Sequence, residues 1–280
     1  MPATHFDPPL FIQDLQSTPV ALDQTPFFFN HGGTPCYLAE MPVGGQLLEP
    51  QPNDPQLRAG YPYTVRGIRD SSTSDVGRTR EFDIAGSSLA YEPLWLTPER
   101  AAAFGMTAVG PGQGLRIQSP TPMLEHMHYA YGVFAGHWSP YQDTGNRLLS
   151  ITCTDLEHHA FPHIFASTDP HQPLVISVAR YWPGEGIIRL ADLWIPRNWC
   201  VYLPPQEDAE TAACMNLHNN RNSARACWGL LQQDHIQTQT LLRADGYFHW
   251  YWNALPTHHT SPDAPKPETC HGTQPPSSQQ

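Results

Sequence analysis

Proline is spread so densely along this chain that few stretches are free to form a long helix. It accounts for 30 of 280 residues, about twice the usual share. Proline removes a backbone donor and clashes with the preceding turn of a helix, and it is excluded from central sheet ladders. The chain is therefore restricted to short elements joined by long, defined loops. At this length one large β domain can bury a sizeable core without covalent staples.

The segments between prolines read as strands. Residues 26–41, PFFFNHGGTPCYLAEM, form two strands around His31-Gly32-Gly33. Further strands are expected at 61–68, 80–86, 88–96, 114–119, 128–138, 147–155, 163–167, 173–182, 186–195 and 199–203, with a last aromatic strand at 247–252. In RLLSITCTDL, apolar and polar side chains alternate with period two, as in a half-buried strand. PLVISVARYW is apolar on both faces, so both faces are expected to be covered.

Helix signals are few. Thr97-Pro98-Glu99-Arg100 offers a capping threonine and proline at the first helical position, and Gly105 ends the segment. A second helical segment is expected at about 208–242, where Ala, Leu, Gln and Arg recur. The expected fold class is mainly β: an antiparallel β-sandwich or jelly roll with one short helix and that C-terminal helical segment. Residues 1–25 read as an extended arm and 26–255 as a single β-rich domain with a loop insertion at 42–60. Residues 256–280 read as a polar tail rich in Pro, Thr, Ser and Gln.

Charge excludes some partners. The formal net charge is −11, and the densest basic cluster, Arg66, Arg69, Arg78 and Arg80, is interleaved with Asp70 and Asp75. No basic stripe for direct nucleic-acid binding is present. The first residues carry no basic region followed by an apolar core, so no signal peptide is expected. No apolar run approaches the roughly 20 residues of a membrane span. The chain is expected to be soluble and cytoplasmic when made. The six cysteines show no CxxC and no short metal-type spacing. Cys153, Cys200 and Cys214 sit in apolar runs and read as small buried hydrophobes.

Histidine is the residue that carries candidate chemistry. Seven of fifteen fall between positions 126 and 171. His126 and His128 share one face if 128 lies on a strand. His159 and His163 are four apart, although Pro162 opposes a helix that would align them. A three-histidine or histidine–carboxylate site for Zn or Fe follows from His126, His128, His159 and His163, with His137 as a further candidate and Glu125 or Glu157 nearby. The His-x-His pair invites comparison with the cupin barrel. That pattern fails here, because Tyr131 and Gly132 stand where its glutamate is required and no histidine follows Pro183-Gly184.

Other motifs carry less. His31-Gly32-Gly33 lacks the G-x-S-x-G partner of an α/β-hydrolase and reads as a hairpin turn. Cys227 with His249 and Asn253 lacks the spacing of a cysteine protease, and Cys227 sits inside an apolar face rather than at a helix N-terminus. No P-loop, dinucleotide fingerprint or HExxH occurs. Trp138, Tyr141, Tyr247, His249 and Tyr251 form a candidate interface or binding face, able to grip a sugar ring or a neighbouring chain.

Three functions follow in order. The first is a non-enzymatic structural protein that assembles with copies of itself or other components into a capsid-like particle, with no cofactor. The second is a Zn- or Fe-dependent enzyme built on the histidines of 126–163. The third is a carbohydrate-binding β-sandwich.

Overall fold

A computed structural model describes residues 17–74, 77–117, 123–130, 154–160, 162–166, 174–206, 211–219, 237–242, 248–253, 255–258 and 262. In chain order the first strands are β1 (Ser17–Ala21), β2 (Phe27–His31), β3 (Thr34–Leu38), β4 (Gln46–Leu48), β5 (Tyr61–Ser74), β6 (Gly77–Ile84), β7 (Leu89–Ala90) and β8 (Glu92–Trp95). The helix α1 (Pro98–Ala102) precedes β9 (Thr107–Val109), β10 (Gln113–Arg116), β11 (Met123–Ala130), β12 (Thr154–His159) and β13 (His163–Ala166). The chain then runs through β14 (Leu174–Trp182), β15 (Ile187–Ile195), β16 (Cys200–Leu203), β17 (Met215–Asn219), β18 (Gln237–Leu242), β19 (Phe248–Asn253) and β20 (Thr257–His258).

The protein is mainly β, and its centre is a closed seven-stranded barrel. The order is β14-β17-β12-β19-β6-β5-β15, and pairing of β15 with β14 closes the ring. Closure removes the exposed edges that an open sheet would carry. This replaces the expected sandwich or jelly roll. The physical reason is that β14 pairs along its whole length with β15 and also with β17, so both of its edges are used. All nine residues of β14 are buried, in line with its two apolar faces.

Side-chain alternation sorts the barrel strands into two environments. Phe82, Leu156, Ala179, Tyr181, Ile188, Leu190, Leu217 and Tyr251 point inward and fill the lumen. The outward residues Ile176, Val178, Ala191, Leu193 and Trp250 pack against a second layer. That layer is the sheet β13-β16-β9, contributing Phe165, Val201, Leu203 and Ala108, together with Phe104 after α1. Its opposite face, with Ile164, Ala166, Cys200 and Tyr202, packs on Phe28 and Leu115 of the sheet β3-β2-β10-β4.

Several local expectations appear as drawn. Thr97 caps α1, its hydroxyl accepting from the Arg100 backbone N–H, and Pro98 stands at the start. β2 and β3 form a hairpin in which His31 pairs with Thr34. Gly32 and Gly33 between them have φ of +60° and +93°, the left-handed pair that a tight hairpin turn demands. Cys200 and Cys214 are buried free thiols.

The helical segment expected at about 208–242 is corrected where it is described. Met215–Asn219 and Gln237–Leu242 are strands. In MNLHN the apolar and polar residues alternate with period two, and QTQT alternates with β-branched threonine; both patterns suit a pleated strand. Residues 220–236, including Cys227, lie outside the described set. Ser17–Ala21 of the N-terminal arm pairs with β11, and Thr257–His258 of the tail pairs with β7. Among the described residues no helix is long and apolar enough to cross a membrane.

Candidate metal centre between the barrel and its second layer

Three strands deliver three histidines to one point. Glu157 of β12 pairs in register with His218 of β17, and His159 lies two residues beyond Glu157. Alternation therefore puts Glu157, His159 and His218 on the outward face of the barrel. Pro162 ends the run of β12, and the chain turns a corner into β13 of the second layer. His163, at the start of β13, shares the barrel-facing side of that strand with Phe165. The four-residue spacing of His159 and His163 thus spans a corner between two layers rather than a helical turn.

The resulting cluster is compact. One ring nitrogen from each of His159, His163 and His218 lies within 4.8 Å of the other two, and all three residues are buried. Nε2 of His159 and Nε2 of His218 are 3.3 Å apart. A tetrahedral zinc with Zn–N bonds of about 2.0–2.1 Å separates its ligand nitrogens by about 3.3 Å. The His159 and His163 ring centroids are 4.0 Å apart. Phe165 meets the rings of His163 and His218 edge-on and walls the site with apolar surface.

Burial favours the neutral form of His163 and His218, the form that binds a metal. Desolvation pushes His218 down to about 3. It holds His163 well below the ordinary histidine value, with neighbouring His159 and His218 adding to the effect. A carboxylate stands beside them: Glu157 Oε1 lies 3.5 Å from His218 Nε2, and its Oε2 accepts a hydrogen bond from Trp250 Nε1 at 3.1 Å. The indole fixes the carboxylate and leaves its other oxygen toward the histidines.

A cavity of about 80 Å³ opens beside the cluster, and His159, His218, Asn53, Asn216, Phe104 and Gln206 are among its lining. Gln206 forms part of the rim by binding β17. Its side chain donates to the Asn216 carbonyl and accepts from the Asn216 N–H, both at 3.0 Å. Gly105 stands at φ +71°, and a Cβ there would overlap the Asn216 amide. Glycine at this position lets the turn after α1 close onto the cavity wall.

Of the residues expected to ligate metal, the structure brings together His159 and His163. It adds His218, which sequence reasoning missed because 208–217 read as helical. The alternation of MNLHN was the signal that could have found it. Glu157, expected nearby, is adjacent. His126 and His128 lie on β11, opposite Thr18 and Gln239 respectively, in a sheet with β1 and β18; their side chains lie outside the described set, as do His137 and Glu125.

The expected aromatic face is placed only in part. Trp138, Tyr141 and Tyr247 lie outside the described residues. Tyr251 is fully buried in the barrel lumen, stacked on Phe82 at 4.9 Å. His249 is half-buried and stacks on His158 at 4.6 Å. Asn253 donates to the Phe82 carbonyl at 2.6 Å. At Tyr251 this face is barrel interior rather than a surface for a sugar or a partner.

No protein-family model, curated protein or solved structure matches this chain.

Proposed function

We propose that this chain is a metal-dependent enzyme in which His159, His163 and His218 hold a zinc ion, with iron as the alternative metal, and Glu157 serves a metal-bound water. The observation that supports this reading is the convergence of three buried imidazoles from three strands in two layers, one pair at the edge length of a zinc tetrahedron.

Three neutral nitrogen ligands leave the ion its full double charge. A zinc held by these residues would supply Lewis-acid chemistry, lowering the pKa of a bound water to about 7. The cavity beside His159 and His218 suits an open fourth position. The Glu157 carboxylate, oriented by Trp250, is placed to take the proton of that water. The reaction class is metal-assisted hydrolysis or hydration, and the cavity of about 80 Å³ beside the cluster has room for the reacting group of a small substrate.

Elemental analysis of the purified chain, run with light scattering, tests the proposal. The expected outcome is about one zinc or iron per chain, with metal-stripped protein recovering it on dialysis against zinc. A stripped chain that takes up neither metal would overturn it. The particle-component reading has separate support in β4, which among the described residues is an edge strand of its sheet, with Leu47 on it and Val43 before it exposed. A mass of many subunits in the same scattering run is the outcome that reading expects.

A further inference from the structure

We infer that the cavity beside the histidine cluster binds a small carboxylate or similar oxyanion, held between the metal and the amide NH2 groups of Asn53 and Asn216, with Arg180 as the positioning residue that sets both amides. This inference rests on the metal site proposed above and names the class of ligand it takes.

Arg180 on β14 is fully buried. A guanidinium has donors only. Its described partners are all oxygen atoms of neutral groups. Nε donates to Asn216 Oδ1 at 2.7 Å and one terminal nitrogen donates to the Asp54 carbonyl at 2.7 Å. The other terminal nitrogen donates to Asn53 Oδ1 at 2.9 Å and to the Ala102 carbonyl at 3.3 Å. The Asp54 carboxylate instead accepts from the Gln56 backbone N–H.

Two consequences follow. First, both amide oxygens must face Arg180, so both amide nitrogens face elsewhere. Asn216 Nδ2 spends one hydrogen on Asn53 Oδ1 at 3.1 Å and has a second to give. Asn53 Nδ2 is turned away from the cation. Both residues line the cavity that His159 and His218 also line. Second, a positive charge sits behind that wall with no carboxylate among the groups it hydrogen-bonds, and a buried cation favours a counter-charge nearby. A dipositive ion on three neutral histidines adds charge of the same sign on the other side. A cavity with amide donors on one wall and a metal on the other suits a small ligand with two acceptor oxygens and a negative charge. Its volume of about 80 Å³ has room for a ligand the size of acetate, formate or bicarbonate.

Cobalt(II) in place of zinc makes both halves visible, because its absorption reports ligand number and geometry. The full-length chain is stripped, loaded with cobalt and titrated with acetate. Wild-type protein should give a tetrahedral cobalt spectrum that changes saturably with acetate. Asn53→Asp, on an exposed residue, replaces an amide donor by a carboxylate. It should keep the cobalt spectrum and weaken acetate binding at least tenfold. Arg180→Lys keeps the charge but cannot orient two amides, and it should do the same; if it fails to fold, Asn53→Asp decides. Cobalt binding with no response to acetate would overturn the inference while sparing the metal site. Equal acetate affinity in Asn53→Asp and wild type would do likewise. Absence of cobalt uptake would overturn both.

Discussion

His158 and His159 are neighbours in sequence whose rings turn to opposite faces of β12, although both residues border the cavity. His158 points into the barrel lumen, where its Nε2 meets the Tyr251 hydroxyl at 3.3 Å and its ring stacks on His249. His159 points outward into the gap between the barrel and its second layer, against His163 and His218. The lumen is a packed apolar interior that also holds a polar pair, Ser177 donating to Asp192 at 2.8 Å. The gap gathers polar groups around an open cavity. One strand, TDLEHH, supplies both through its period-two alternation. Histidine content alone therefore does not identify a site; the face on which each histidine lies does.

The sharpest test of this contrast is metal content. His218→Ala should reduce zinc from about one per chain to less than a tenth of that, measured by elemental analysis after dialysis. His158→Ala, one residue from a ligand but on the lumen face, should keep its zinc and lose only stability. Equal metal loss in both variants would erase the distinction between the two regions.

Acid should act next most strongly, and on both regions together. In the metal-free protein His158, His163 and His218 are all held below the unfolded value of 6.5 by burial. Above pH 6.5 neither the folded nor the unfolded form carries their protons, so they contribute no pH dependence. Below it the unfolded chain gains protons that the folded chain refuses, down to about 3 for His218. Stability therefore falls with pH by about 1.4 kcal/mol per unit for each such histidine. Urea midpoints at pH 7 and pH 5 should show a loss of several kcal/mol. Zinc should stabilise the chain at pH 7, by mass action.

Truncating the lumen should cost less than that. Phe82 is fully buried, stacked on Tyr251 and edge-on to Tyr181. Phe82→Ala should lower unfolding free energy by about 3–5 kcal/mol in urea titration, with zinc stoichiometry unchanged in the folded fraction. The smallest effect is expected at the cavity wall. Gly105→Ala forces an L-residue into a left-handed conformation, at about 1–2 kcal/mol, and displaces Asn216. Its unfolding free energy in urea titration should fall by at least that amount while the three histidines still bind metal.

Much of the strand content was legible, because it depends on local patterns. The buried run of β14, the two-residue glycine hairpin and the capped turn at Pro98 each follow from a few adjacent residues. MNLHN and QTQT were misread as helical because they were weighed by composition within proline-poor windows rather than by alternation. The site was half legible: His159, His163 and Glu157 could be named as candidates, but not grouped. Proline at 162 correctly argued against a helix, yet it left open whether the two histidines met at all.

The residues themselves determined that this chain would be mainly β, with short elements, and that histidines would be its candidate ligands, because proline spacing, period-two alternation and side-chain type are local properties. Only the tertiary structure decided that the strands close into a barrel and that His218, from a strand 59 residues beyond His159, completes the cluster. The pairing of β12 with β17 and the packing of β13 across the layer gap join residues far apart in the chain. No short-range pattern encodes such contacts; they arise when both faces of one sheet must be buried at once.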